Sequence, residues 1–284
     1  MKYENPQIPE GINTTKEHPL KELLVLLIGS LLVILSITFV VTFGGGWLVD
    51  KIPFSIEKKV SNMYDVEKHV DDKRAPELIH YLQGLVDQIS EAQDLPEDIK
   101  ITVHFINSGT VNAFATLGGH VFVFRGLLEK LPNENTLVTL LGHEIAHVKL
   151  RHPIKSLSAG IFFSILTSAV TGGTGSDLLG SAGLLGSLKF GRDMEQQSDK
   201  EAMVSLQGMY GHLNGGAELF RIFQKMKEES DIDEPVKMFS SHPHDEKRIK
   251  NFQVVAKDKG WHETGALTPL PDFFQHSFVA RKVN

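Results

Sequence analysis

LVTLLGHEIAHVKLRH, residues 137–152, carries His143 and His147 four apart in an apolar, helix-forming setting. Side chains four apart on a helix lie one above the other, so both imidazoles can reach one metal ion. Glu144 is one position round from His143. It can take a proton from an attacking water without ligating the metal, and zinc in such sites brings the pKa of water down to about 7. Asn133 is a suitable N-cap, and the spacing predicts a helix from Glu134 to about Arg151, stopped by Pro153.

Elimination narrows the metal chemistry. A metzincin needs Gly at 150 and His at 153, where this chain has Leu150 and Pro153. Cysteine is absent, which excludes thiol catalysis, disulfides and every thiolate metal site. The third ligand expected from the motif is therefore a carboxylate from another helix, a His2Glu site. RDMEQQSD, residues 192–199, puts Glu195 and Asp199 four apart on a second predicted helix, about 192–207, ending near Gly208. Glu195 can ligate, and Asp199 can hydrogen-bond the free nitrogen of a ligand histidine. Taken alone, the same residues also read as an ordinary solvated acidic face.

Around these helices the pattern is α+β, with many helices and a small sheet. Helical spacing runs from Lys51 to about Gln93, broken by Pro96. ITVHFI (101–106) and HVFVF (120–124) read as strands, and further helices are expected at about 217–229 and 244–257. Between Lys155 and Lys189 the only charge is Asp177; two apolar arms flank TGGTGS (171–176). Each arm is too short to cross a bilayer. The segment 156–188 reads as a packed helix pair with a glycine turn, or as a membrane-dipping or lid-like hairpin.

Leu23 to Phe43 runs 21 residues without a charge. At about 1.5 Å per residue it matches the roughly 30 Å hydrocarbon core. A signal h-region is shorter and ends at an A-x-A-like site, which is missing here. The organisation read from the chain is thus a tail at 1–22, a transmembrane anchor at 23–43 and a catalytic body at 44–284. Lys2, Lys16 and Lys21 before the span balance Lys51, Lys58 and Lys59 after it, so charge sets no orientation. With 29 basic against 35 acidic residues, net −6, the chain lacks the basic surface that nucleic acid requires. Of the other histidines, His104 and His120 on the strands, and His18, His69, His80, His212, His262 and His276, read as packed or surface residues. His244 reads as a turn or helix-start residue, and His152 sits where it could buttress the helix before it.

The chain resembles the zinc metallopeptidases that include CaaX prenyl-protein endopeptidases, HtpX, BepA and the OMA-type proteases. HEIAHVKLRH (143–152) is similar to their extended zinc motif. RDMEQQSD is similar to their downstream segment, apart from Gly191 in place of a usual serine and Ser198 in place of a usual alanine. Asn112-Ala113-Phe114-Ala115 before GGHVFVFRGLL resembles their edge strand, and Ser241-His242-Pro243 with Arg248 their late motif. WLVDKIPFSIE (47–57) looks like the start of the OMA/BepA-like branch. The resemblance implies a zincin (gluzincin) fold with one Zn2+ on His143, His147 and Glu195. It implies Glu144 as the base, His242 as stabiliser of the oxyanion, Asp199 and Arg248 as supports of the ligands, and Asn112, Ala113 and Phe114 as holders of the substrate backbone. The expected protein is a single-pass, membrane-anchored zinc endopeptidase of envelope protein quality control. Its partners are polypeptide substrates and the lipid bilayer, and its body stands on the periplasmic side of a bacterial inner membrane. The rival expectations are a non-catalytic tethered chaperone or scaffold with a zincin fold, and a prenyl-peptide endopeptidase, which needs several further spans.

Overall fold

The structure, a computed structural model, describes residues 19–39, 51–62, 70–157, 190–229, 238, 242, 247–276 and 278. The chain divides into two compact units, Met1–Gly46 and Trp47–Asn284.

The described part of the first unit is one helix, α1 (Pro19–Phe39). It starts four residues before the predicted span, because Pro19 suits a first helical turn. Leu23, Leu27, Leu31 and Leu35 are each more than half exposed, as are Leu24 and Leu32 on other faces. The described side chains cover residues 20–36, about 25 Å of helix at 1.5 Å per residue. Among the described residues no helix is long and apolar enough to cross a membrane. The rest of the predicted anchor, 40–43, and its glycine exit lie outside the described residues, as does 158–189 of the glycine-rich segment.

In the second unit the predicted helical run from 51 to 93 resolves into α2 (Phe54–Ser61), a 3-10 turn (Asp72–Arg74) and α3 (Pro76–Ala92). Three strands follow: β1 (Thr102–Ile106), β2 (Ala113–Ala115) and β3 (His120–Phe124), in the order β1-β3-β2. β1 pairs parallel with β3, and β2 pairs antiparallel with β3, setting Phe114 opposite Phe122. The turn into β3 needs its glycines: Gly119 has φ 88°, and a Cβ there would meet the Lys100 carbonyl oxygen at 2.1 Å. Then come α4 (Arg125–Leu128), α5 (Glu134–Lys149), α6 (152–157), α7 (Arg192–Tyr210), α8 (Gly216–Glu229), α9 (Lys247–Lys259) and α10 (Asp272–His276).

The two edges of the sheet differ. On β1, Asp72 accepts from the Phe105 amide at 2.7 Å, Gln83 accepts from the Val103 amide at 3.2 Å, and the Asp71 amide donates to the Phe105 carbonyl at 2.8 Å. That edge is closed by side chains and loop. On β2, the Phe124 amide donates to the Asn112 carbonyl at 3.1 Å, and the Thr116 amide to the His120 carbonyl at 2.9 Å. Antiparallel ladders alternate, so Phe114 also faces β3 with its backbone, while the backbones of Ala113 and Ala115 face outward.

α5 is the core helix, buried from Asn135 to Val148. The Asn133 side chain caps it, accepting from the Thr136 amide at 2.9 Å. It stops at Lys149, two residues early, because Arg151 takes a left-handed turn (φ 61°); Pro153 then lies in the first turn of α6. α7 lies close against α5. A Cβ on Gly142 would meet Ser205 Oγ at 2.8 Å and Ala202 Cα at 3.3 Å. Helix α7 runs through Gly208, which faces Ala92, and ends at Gly211 (φ 74°), the left-handed cap.

The sheet face away from α5 carries a histidine chain. His104 Nδ1 lies 2.9 Å from Asp72 Oδ2, and His104 Nε2 lies 2.9 Å from His120 Nδ1. Burial, and then the neighbouring His104, push the His120 pKa down to about 4. Unfolded, the same ring takes its proton near 6.5. Its contribution to stability is therefore whole above pH 6.5 and is lost as pH falls from 6.5 towards 4. His120→Gln is expected to melt with a shallower dependence on pH across that window than the wild type, and parallel melting curves in the two chains would contradict this.

Candidate active site

α5, α7 and the stretch before α9 bring four side chains together: His143, His147, Glu195 and His242, all buried, with ligand atoms within 4.8 Å of one another. His147 Nε2 is 3.0 Å from His143 Nε2, and the Glu195 carboxylate oxygens are 3.5 Å from each of these nitrogens. His242 Nδ1 is 3.0 Å from Glu195 Oε1 and 3.3 Å from His143 Nε2. Tetrahedral zinc with bonds of about 2.0–2.1 Å places its donor atoms about 3.3 Å apart. The donor set and its spacing fit that ion.

Arg248 meets part of the negative charge around the cluster. Its Nη1 lies 2.8 Å from Glu195 Oε2, an ion pair off the line of a good hydrogen bond. Its Nε and Nη2 donate to both oxygens of Asp199 at 2.8 and 2.6 Å. Asp199 Oδ1 in turn accepts from His143 Nδ1 at 3.0 Å, leaving Nε2 for the donor cluster. Burial opposes charge on His143, but Asp199 and Glu195 outweigh it and hold the ring up at about 9. Burial and the neighbouring His143 hold His147 well below the usual histidine range. Burial works against the Glu195 and Asp199 carboxylates, yet His242 and His143 for the first, and Arg248 and His143 for the second, bring both below the ordinary range. Three buried carboxylates, Glu144, Glu195 and Asp199, beside one arginine call for a further positive charge in this place.

Glu144 is fully buried (0% exposed), and both its oxygens have no hydrogen-bond partner among the described residues. His242 Nε2 also has none, and lies 3.6 Å from Glu144 Oε1. Buried polar atoms are nearly always satisfied, so this pair marks a place for a ligand.

The model of Peptidase family M48 matches residues 76–255, more than half of the chain. The chain belongs to peptidase family M48. It is 30% identical over 161 residues to the mitochondrial metalloendopeptidase OMA1 of Schizosaccharomyces pombe, covering 55% of this chain and 47% of that protein. It is 30% identical over 159 residues to the metalloprotease YcaL of Escherichia coli (50% of this chain, 57% of that one). To the beta-barrel assembly-enhancing protease of Yersinia pestis it is 26% identical over 189 residues (59% and 37%). The chain thus spans only about half the length, or less, of most of these relatives.

The M48 match takes in His143, Glu144, His147, Glu195, Asp199, His242 and Arg248, which the fold gathers into one buried site. Asn112, Ala113 and Phe114 lie on the β2 edge of the sheet, to which no further strand pairs among the described residues; Asn112 and Ala113 are buried, and Asn112 Oδ1 lacks a partner among the described residues. Ser241 and Pro243 of the late motif lie outside the described residues. Two contributors, Phe190 and Gln93, escape a reading of the sequence. Phe190 stacks on His147 with ring centroids 3.9 Å apart. Gln93 is buried and its Nε2 donates to the Gly142 carbonyl at 2.8 Å and to Ser205 Oγ at 2.9 Å, tying α3 to both ligand helices. His152 meets His147 at 2.9 Å, Nδ1 to Nδ1. His152 thus contacts the helix that the sequence placed it to buttress.

Proposed function

We propose that the chain is a membrane-anchored zinc endopeptidase that hydrolyses protein substrates in envelope quality control. The observation that carries this reading is the buried Glu144 carboxylate, without a hydrogen bond among the described residues, facing His242 beside three convergent donors. Zinc held by His143, His147 and Glu195 supplies Lewis-acid polarisation and lowers the pKa of water to about 7. Glu144 takes the proton of the attacking water and passes it to the leaving amine. His242 Nε2 faces the place where the oxyanion forms and donates to it. Arg248 and Asp199 hold Glu195 and His143 in line.

An extended substrate adds to the sheet at β2, as in β-augmentation. The outward groups of Ala113 and Ala115 pair with its backbone, and Asn112 Oδ1 is a further acceptor. In Glu144→Gln with a bound substrate-like peptide, the Ala113 and Ala115 amides are expected to exchange about tenfold more slowly, the worth of about one hydrogen bond each. The Phe114 amide, already paired, should not change. Protection confined to Phe114, or absent, would remove the edge-strand docking.

The anchor rests on the 21 uncharged residues from Leu23 to Phe43, and the envelope setting on relatives named as mitochondrial or β-barrel-assembly proteases. That setting supports an inner-membrane placement with the body on the periplasmic side. A non-catalytic scaffold is the competing reading. Metal analysis of the full chain with casein cleavage, with and without chelator, separates the two: one zinc per chain and chelator-sensitive cleavage support the peptidase, and zinc without cleavage supports the scaffold.

A further inference from the structure

Arg151 ends the helix that carries both ligand histidines, and its backbone is left-handed, a conformation unfavourable for a long side chain. Its side chain explains why it stays there. Nε donates to Glu57 Oε1, Nη2 donates to the Ile52 carbonyl at 3.0 Å, and the guanidinium stands over the Phe54 ring, 5.6 Å from its centroid. Glu57 is 2% exposed, so the pair sits in a medium where breaking it is costly. All three partners belong to α2 or the two residues before it.

The turn held this way starts α6 and brings its first residue back onto α5. His152 is 1% exposed, with Nδ1 2.9 Å from His147 Nδ1 and 3.4 Å from Ser198 Oγ. His147 points Nε2 at the donor cluster. In the tautomer that can bind a metal through Nε2, His147 carries its proton on Nδ1, and His152 Nδ1 is the acceptor at hand. Asp199 does the same for His143, so the two ligands have different supports, one anionic and one neutral.

We propose that Glu57, Arg151 and His152 form a positioning chain that sets the tautomer and orientation of His147, making α2 part of the metal site although none of its residues touches a donor atom. This rests on the reading of His143, His147 and Glu195 as ligands.

The test is zinc affinity of the full chain, measured by competition with a chromophoric chelator, for wild type, His152→Phe, His152→Gln, Glu57→Gln and the double variant Glu57→Gln/His152→Phe. Melting of each metal-free protein reports its folding. His152→Phe keeps a ring and loses the acceptor; zinc should bind about 10–100-fold more weakly. His152→Gln offers a carbonyl oxygen and should recover most of that loss, which a purely space-filling role does not predict. Glu57→Gln should weaken zinc by about tenfold. If Glu57 acts through His152, the double variant binds zinc no more weakly than His152→Phe alone. Losses that multiply, or wild-type affinity in His152→Phe, overturn the chain. Should His152→Phe not fold, the decision passes to the other two: Glu57→Gln must lose affinity and His152→Gln must hold it. A wild-type chain that binds no zinc fails the ligand reading itself, a different result.

Discussion

Glu144→Gln is expected to keep its zinc and to lose about 10²–10⁴-fold in kcat, the range that one positioned acid–base group supplies. The substitution is nearly isosteric in a fully buried position, and Glu144 has no hydrogen bond among the described residues for the amide to break. Folding and metal content should therefore be unchanged, while proton transfer stops. The measurement is zinc per chain by metal analysis together with initial rates on a protein substrate. A variant that keeps full metal-dependent cleavage would remove Glu144 from the role of base. A variant that loses its zinc would show that the carboxylate belongs to the metal site and not beside it.

Arg248→Leu should unfold in denaturant with a loss of about 3–5 kcal/mol when zinc is stripped by chelator, the typical effect of leaving buried charge without its partner. The guanidinium lies 2.6–2.8 Å from the Asp199 and Glu195 carboxylates, and all three side chains are almost completely buried. Nothing on Leu replaces three charge-assisted contacts. Arg248→Lys keeps the charge and loses the fork that spans two carboxylates, so it should fall between Leu and wild type. An Arg248→Leu chain as stable as wild type would mean that His143 alone balances the two acids.

These two residues show how unevenly the site can be read from sequence. Glu144 is legible because its chemistry depends on neighbours within one helical turn, and the 3.6-residue period places it relative to His143 and His147 without any tertiary knowledge. Glu195 and Asp199 share a face for the same reason, yet periodicity cannot tell a solvated acidic face from a buried one. The structure buries both, because Gly142 lets α7 come within contact distance of α5 at Ala202 and Ser205. Arg248 follows Asp199 by 49 residues and meets it only through the packing of α9 beside α7. Gln93 has no local signature at all, since a glutamine at a helix end is ordinary until the two carbonyl and hydroxyl partners are placed round it.

Helix limits divide the same way. Asn133 as a cap follows from the chemistry of a short polar side chain before an apolar run. The stop at Lys149 does not, because it depends on Glu57, nearly a hundred residues earlier, holding Arg151 in a left-handed turn. Gly208 looks like a terminator but serves close packing against Ala92, and the helix runs on to Gly211.

By itself, the sequence determined the reactive pair of imidazoles with its glutamate, the absence of any thiol alternative, the mixed α+β character and the uncharged 21-residue run near the front. Those are consequences of composition and of spacing within single elements. Tertiary structure alone decided that a carboxylate from α7 and a histidine beyond α8 stand next to that pair, that β2 is an outer strand of the described sheet, and that the segment at 52–57 reaches the end of the ligand helix. Such meetings depend on close approach and on removal of water between distant parts of the chain, and neither is encoded by the order of residues within any one helix or strand.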